Sequence, residues 1–152
     1  MEKSSYLKFT AMMAVSFVVM YAVMFLNADV FDHVMLSTTR TYMTILMIAP
    51  MAVSMLLFMW KMYKNKVLNY IILGASIVVF VSTLFMLRNQ TLIADVQWMK
   101  AMIPHHSSAI MVSQKAHLED PEAIKLAEEI IEAQKREIAQ MKKMIDRLEN
   151  KK

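Results

Sequence analysis

No cysteine occurs among the 152 residues, so there is neither a disulfide framework nor a thiolate metal site. Any soft-metal chemistry must rest on methionine and histidine. Methionine is plentiful at 18 and histidine scarce at four. Glycine occurs once and proline three times, while 57% of the chain is hydrophobic, a balance suited to membrane helices rather than to a soluble domain. No large excess of one charge exists either. The net +4 is left from 17 basic and 13 acidic residues, and over the last third the two signs interleave, which reads as topology signals and a solvated helix face, not a nucleic-acid footprint. Also missing are a His-Glu-x-x-His zinc-protease motif, the Glu-x-x-His pairs of di-iron bundles and a nucleophile with a sequence signature. Nothing marks an enzyme.

What is present begins with three apolar runs. Residues 9–26 (FTAMMAVSFVVMYAVMFL) carry no charge and cross a hydrocarbon core of about 30 Å at roughly 1.5 Å per residue. The run is too long for the apolar region of a signal peptide, and no small-x-small cleavage site follows it. Residues 42–60 form a second span, with Pro50 tolerated inside, and residues 68–87 a third. Tyr6, Tyr42, Trp60, Tyr63 and Tyr70 lie near the ends, where amphipathic rings favour the interface. Lys3, Lys8, Lys61, Lys64 and Lys66 sit on one side, and the loop with Asp29 and Asp32 on the other. By the positive-inside rule the N-terminus is cytoplasmic and everything after Leu87 lies outside. The expectation is a cytoplasmic-membrane protein with a periplasmic or extracellular C-terminal segment.

That segment repeats every three or four residues at Met99, Met102, His106, Ile110, Ser113 and His117, and again at Ala127, Ile130, Gln134, Ile138, Met141, Ile145 and Leu148, the mark of two amphipathic helices. Between them Asp120 suits a helix cap, Pro121 the first helical position and Glu122 the first turn. Pro104 is expected to kink the first helix or to start a fresh one. With no Gly or Pro between Leu87 and Pro104, the third span is expected to run almost unbroken into this helix. The predicted fold is all-α: a membrane domain over 1–90, then an exported antiparallel hairpin over 91–152.

The stretch WMKAMIPHHSSAIMVSQKAH (98–117) holds three of the four histidines. With the turn centred between Glu119 and Asp120, His105 and His106 oppose Gln134 and Ala133, Met102 opposes Glu137, and Met99 falls near Met141. Imidazole, thioether and carboxylate then converge on an inner face, as in metal-binding bundles. Thioethers and imidazoles suit Cu(I) and, by similar softness, Ag(I). Hard cations want more carboxylates. Met111 points away from this face, and together with His117, Met144 and His33 it is a secondary candidate.

AMIPHHSSAI (101–110), followed by AEEIIEAQKREIAQMKKM (127–144), resembles the domain of unknown function 305 family, which includes CopM-like periplasmic copper-binding proteins. The resemblance implies a ferritin-like helical bundle, of which this hairpin is half, and a role in copper or silver tolerance. It marks Met102, His105, His106 and Met141 as ligands, with Gln134 and Glu137 in support. Two departures stand out: Val112 occupies a position where many relatives have Met, and one hairpin is present where many relatives have two. A lone hairpin has only one face to bury. Two completions are open: a homodimer that forms a four-helix bundle, or packing on the first exported loop, whose ADVFDHVM carries Asp29, His33 and Met35.

The expected function is a membrane-anchored copper-binding protein that sequesters or relays Cu(I). Two alternatives are a structural module that assembles through its hairpin and a small copper transporter. The transporter would use Met43, Met47, Met51, Met55 and Met59, a four-residue ladder in the second span. A methionine stripe in a membrane helix is also ordinary packing, since the side chain is a flexible gap-filler.

Overall fold

The computed structural model describes residues 2–150, with side chains from Ser5 onward. Five helices follow in order: α1 (Glu2–Val23), α2 (Thr38–Phe58), α3 (Lys66–Arg88), α4 (Asp95–Lys115) and α5 (Pro121–Glu149), with one 3₁₀ turn at Phe31–His33. No strand occurs among the described residues. Three segments, Ser5–Val23, Thr38–Phe58 and Lys66–Arg88, are long and apolar enough to cross a membrane. The first and third bury only 6% of their apolar windows within the protein, so lipid is their natural solvent. The first helix stops at Val23, short of Leu26, and the second begins at Thr38 rather than Tyr42 and ends at Phe58 rather than Trp60.

The chain divides into two compact units. One comprises α1 and Thr39–Thr91, the other Met24–Thr38 and the chain from Leu92 onward. The first extramembrane loop therefore groups with the hairpin, which a single division near residue 90 does not capture. In the membrane unit, Phe9, Ala52, Leu56 and Tyr63 form the core, with Met13, Met55 and Met59 against it. Fully buried Asn69 donates to the Tyr63 carbonyl (2.8 Å) and accepts from the Tyr6 hydroxyl (2.8 Å), so its amide is satisfied on both sides. Asn65 caps α3 by accepting from the Leu68 N–H. The helix α2 runs through Pro50.

The third span does not continue into the next helix. Gln90 takes φ 51° and Leu92 φ 61°, the left-handed region where a side chain costs energy. The Thr91 N–H donates to the Met86 carbonyl (2.9 Å) and the Gln90 N–H to the Leu87 carbonyl (3.2 Å), the paired bonds of a Schellman stop. This corrects the expected continuity. A left-handed residue at the end of a helix needs no glycine when two hydrogen bonds hold it, so the break left no Gly or Pro to read.

In the second unit α4 and α5 pack antiparallel around Met99, Ile103, Ile110, Ile138, Met141 and Ile145. Asp120 caps α5 by accepting from the Ala123 N–H (2.9 Å), with Pro121 at its start and Glu122 in its first turn. Pro104 is buried inside an uninterrupted α4, so no fresh helix starts there. That helix ends at Lys115, which leaves His117 in the connecting loop, exposed.

Candidate metal centre

The period of the helix sorts the donors onto two flanks of the hairpin. With Ile103 facing the core and about 100° per residue, His106 and Met102 lie roughly 60° and 100° to one side of α4, while Ser107 and Gln97 lie about 40° and 120° to the other. On α5, taking Met141 as reference, Glu137 and Met144 lie about 40° and 60° to one side and Lys142 about 100° to the other. Contacts match the flanks. His106 meets Glu137, whereas Ser107, Gln97 and Lys142 all meet the first loop.

On the first flank, His106 Nδ1 lies 2.9 Å from the Met102 carbonyl and Nε2 2.7 Å from Glu137 Oε2. A carbonyl only accepts, so Nδ1 carries a proton there. Nε2 faces the Glu137 carboxylate, which accepts hydrogen bonds when ionised. The two ring bonds close one turn of α4 and link it to α5. Glu137 was expected opposite Met102, with Ala133 opposite His106. The register is one turn further along, because α4 ends at Lys115 and leaves a longer connection than a turn centred on Glu119 and Asp120.

The donor candidates separate by burial. Met102 and Met144 are half-buried and pack against the core, while Met99 and Met141 are inside it, 1% and 6% exposed. His105 is exposed, its ring 6.0 Å from that of His106 and about 160° from the core-facing direction. Met111 lies on the other side of α4, about 80° from Ile103. The fold thus brings Met102, His106, Glu137 and Met144 to one flank, with Met99 and Met141 beneath them. It does not bring His105, Met111, His117 or His33 there. Among the described residues no three His, Asp or Glu side chains converge. Beside His106 and Glu137, the further side-chain donors on this flank are the thioethers of Met102 and Met144.

The opposite flank holds residues that sequence patterns passed over. Ser107, fully buried, accepts the Asp29 N–H (2.8 Å) and meets His33 Nδ1 (2.9 Å). Asn27 donates to Ser108 (2.9 Å), and the Thr38 N–H and hydroxyl both donate to Gln97 Oε1 (3.0 and 3.1 Å). Lys142 pairs with Asp32, and Met35 packs on the core. Burial, with the Lys142 ammonium adding to it, pushes His33 below the usual histidine value against smaller pulls from Asp32 and Asp29. The hydrogen bond and charge of Lys142 hold Asp32 below the usual carboxylate value. Packing of this loop on the hairpin is one of the two completions that the sequence left open, whereas its partners Ser107, Ser108, Gln97 and Lys142 carry no pattern of their own.

A family model described only as a domain of unknown function, DUF305, matches residues 84–145. The chain is also 32% identical over 145 residues to an uncharacterized protein of Acanthamoeba polyphaga mimivirus, a match covering 92% of this chain and 93% of that one. The chain belongs to the DUF305 family. Its DUF305 segment contains Met102, His106, Glu137 and Met144 and leaves out the first extramembrane loop. No solved structure matches the chain.

Proposed function

We propose that this DUF305 protein is a membrane-anchored copper-binding protein that takes up Cu(I), with Ag(I) as a chemical equivalent, on the His106 flank of its hairpin. One observation carries the reading: His106 Nδ1 is held on the Met102 carbonyl. That is the outer bond that orients a metal-binding imidazole and leaves Nε2 for the metal. Met102 and Met144 supply thioethers on the same flank, which suits a soft monovalent ion. A metal at Nε2 takes the place of the proton shared with Glu137, whose carboxylate then offsets the ion's charge. The role is binding rather than catalysis, on the outer side of the cytoplasmic membrane as the lysine distribution directs. A homodimer fits the same reading, because the His106 flank is the one that the loop leaves open to a second hairpin.

Anchoring is favoured over transport by the second span, where Met43 and Met47 are exposed while Met55 and Met59 pack against the core, as gap-filling side chains do. The test is titration of the purified full-length protein in detergent with Cu(I), under competition from a Cu(I) chelator. Retention of metal by the parent and its loss in His106→Ala are expected. A parent that yields all its copper to a weak chelator overturns the reading.

A further inference from the structure

The first extramembrane loop has two chemically different faces. Its inner face is polar and engaged: Asn27, the Asp29 N–H, Asp32 and His33 all bond to the hairpin. Its outer face is apolar, with Leu26 80%, Phe31 90% and Leu36 69% exposed. Leu92, at 78%, adds a fourth such residue from the segment after α3. A solvated loop has no reason to commit its polar groups to the hairpin and leave its largest apolar groups outward.

The exposure within this unit follows distance along the chain from the spans. Leu26, Phe31, Leu36 and Leu92 each lie no more than seven residues from the end of α1, α2 or α3. Apolar residues toward the far turn of the hairpin are less exposed, Leu118 and Ile124 at 39% and Val112 and Leu126 at 57%. A generic protein partner gives no cause for such a gradient. A bilayer does, because segments leaving the hydrocarbon core pass first through an interfacial zone that accepts aromatic and aliphatic side chains.

We infer that the outer face of the Met24–Thr38 loop, together with Leu92, is a lipid-binding surface that rests in the interfacial zone of the bilayer crossed by the three helices. The inner face meanwhile grips α4 and α5, so the loop fastens the hairpin to the membrane surface by non-covalent contacts as well as by the chain.

Trp60 and Trp98 are the two tryptophans in the sequence, which makes a single-tryptophan reporter simple to build. The triple variant Trp60→Phe, Trp98→Phe, Phe31→Trp is reconstituted in phosphatidylcholine vesicles whose acyl chains carry bromine at defined depths. Lipids brominated near the headgroup should quench most of the emission from position 31, and aqueous iodide little of it. Leu92→Trp in place of Phe31→Trp should behave alike, and circular dichroism verifies the helical content of both. Strong iodide quenching without bromolipid quenching overturns the inference, as does protection from both quenchers, which would mean that a second protein surface covers the loop.

Discussion

His33 Nδ1 lies 2.9 Å from Ser107 Oγ, although 74 positions separate the two residues. Ser107 is fully buried and also accepts the Asp29 N–H, so its one hydroxyl proton is free to go to an unprotonated His33. This contact joins a loop between two spans to the helix after the third, and it places histidine, serine and aspartate backbone in one polar knot beside an apolar core.

Removing the hydroxyl should loosen the knot. Ser107→Ala leaves the Asp29 N–H and His33 Nδ1 without their partner, a loss of about 1–3 kcal/mol for buried polar groups. Hydrogen exchange of the Asp29 amide should accelerate, while exchange in the membrane helices stays as in the parent. Unchanged protection at Asp29 would show that the knot contributes nothing.

Stability of the hairpin unit should fall in mild acid. The folded state holds His33 below its ordinary value of 6.5, so as pH drops below about 6.5 the unfolded chain takes up a proton that the folded one refuses. The stabilisation is fully present above that value and is lost as pH falls toward and through the lower folded value. Lys142 adds to the effect, and Asp32 and Asp29 oppose it. Thermal midpoints measured from neutral to mildly acid pH should decline for the parent, and His33→Asn should flatten the slope. Asp32, held low by Lys142, adds a separate loss only below about pH 4.

Metal affinity should discriminate among methionines by flank. Met102→Leu and Met144→Leu conserve volume but each removes a thioether from the His106 flank, and each should weaken Ag(I) binding by about tenfold, or roughly 1.4 kcal/mol. Met99→Leu, His105→Ala and Met111→Leu should change it little. Carbon-13 labelling of the methionine methyl groups gives an independent readout: the Met102 and Met144 resonances should move on Ag(I) addition, and the Met111 resonance should not. Equal losses at Met111 and Met102 would contradict this assignment.

Glycine at the helix stop should be stabilising. Gln90 has φ 51°, where the missing Cβ relieves a cost of roughly 1–2 kcal/mol, partly offset by the greater freedom of glycine in the unfolded chain. Gln90→Gly is expected to raise the thermal midpoint modestly and Gln90→Val to lower it. The reverse order would contradict the left-handed stop.

Much of this molecule was determined by sequence alone. Charge-free apolar runs have one stable environment, so three spans follow from length and composition, and a repeat of three to four residues makes the last third two amphipathic helices. Asp120 and Pro121 marked the start of α5 because each has a local reason to be there. The lack of cysteine left methionine and histidine as the donors for any soft-metal chemistry. Tertiary structure decided the rest. Periodicity tells which residues share a face but not how far two helices slide past one another, and the one-turn slide put Glu137 rather than Ala133 against His106. Nor does periodicity say which flank is covered. The loop that covers one has no repeat to read, and its bonds to Ser107, Ser108 and Gln97 span 59 to 81 positions, beyond any local pattern. The stop at Gln90 lay equally out of sight, since hydrogen bonds to Met86 and Leu87, not a glycine, hold it.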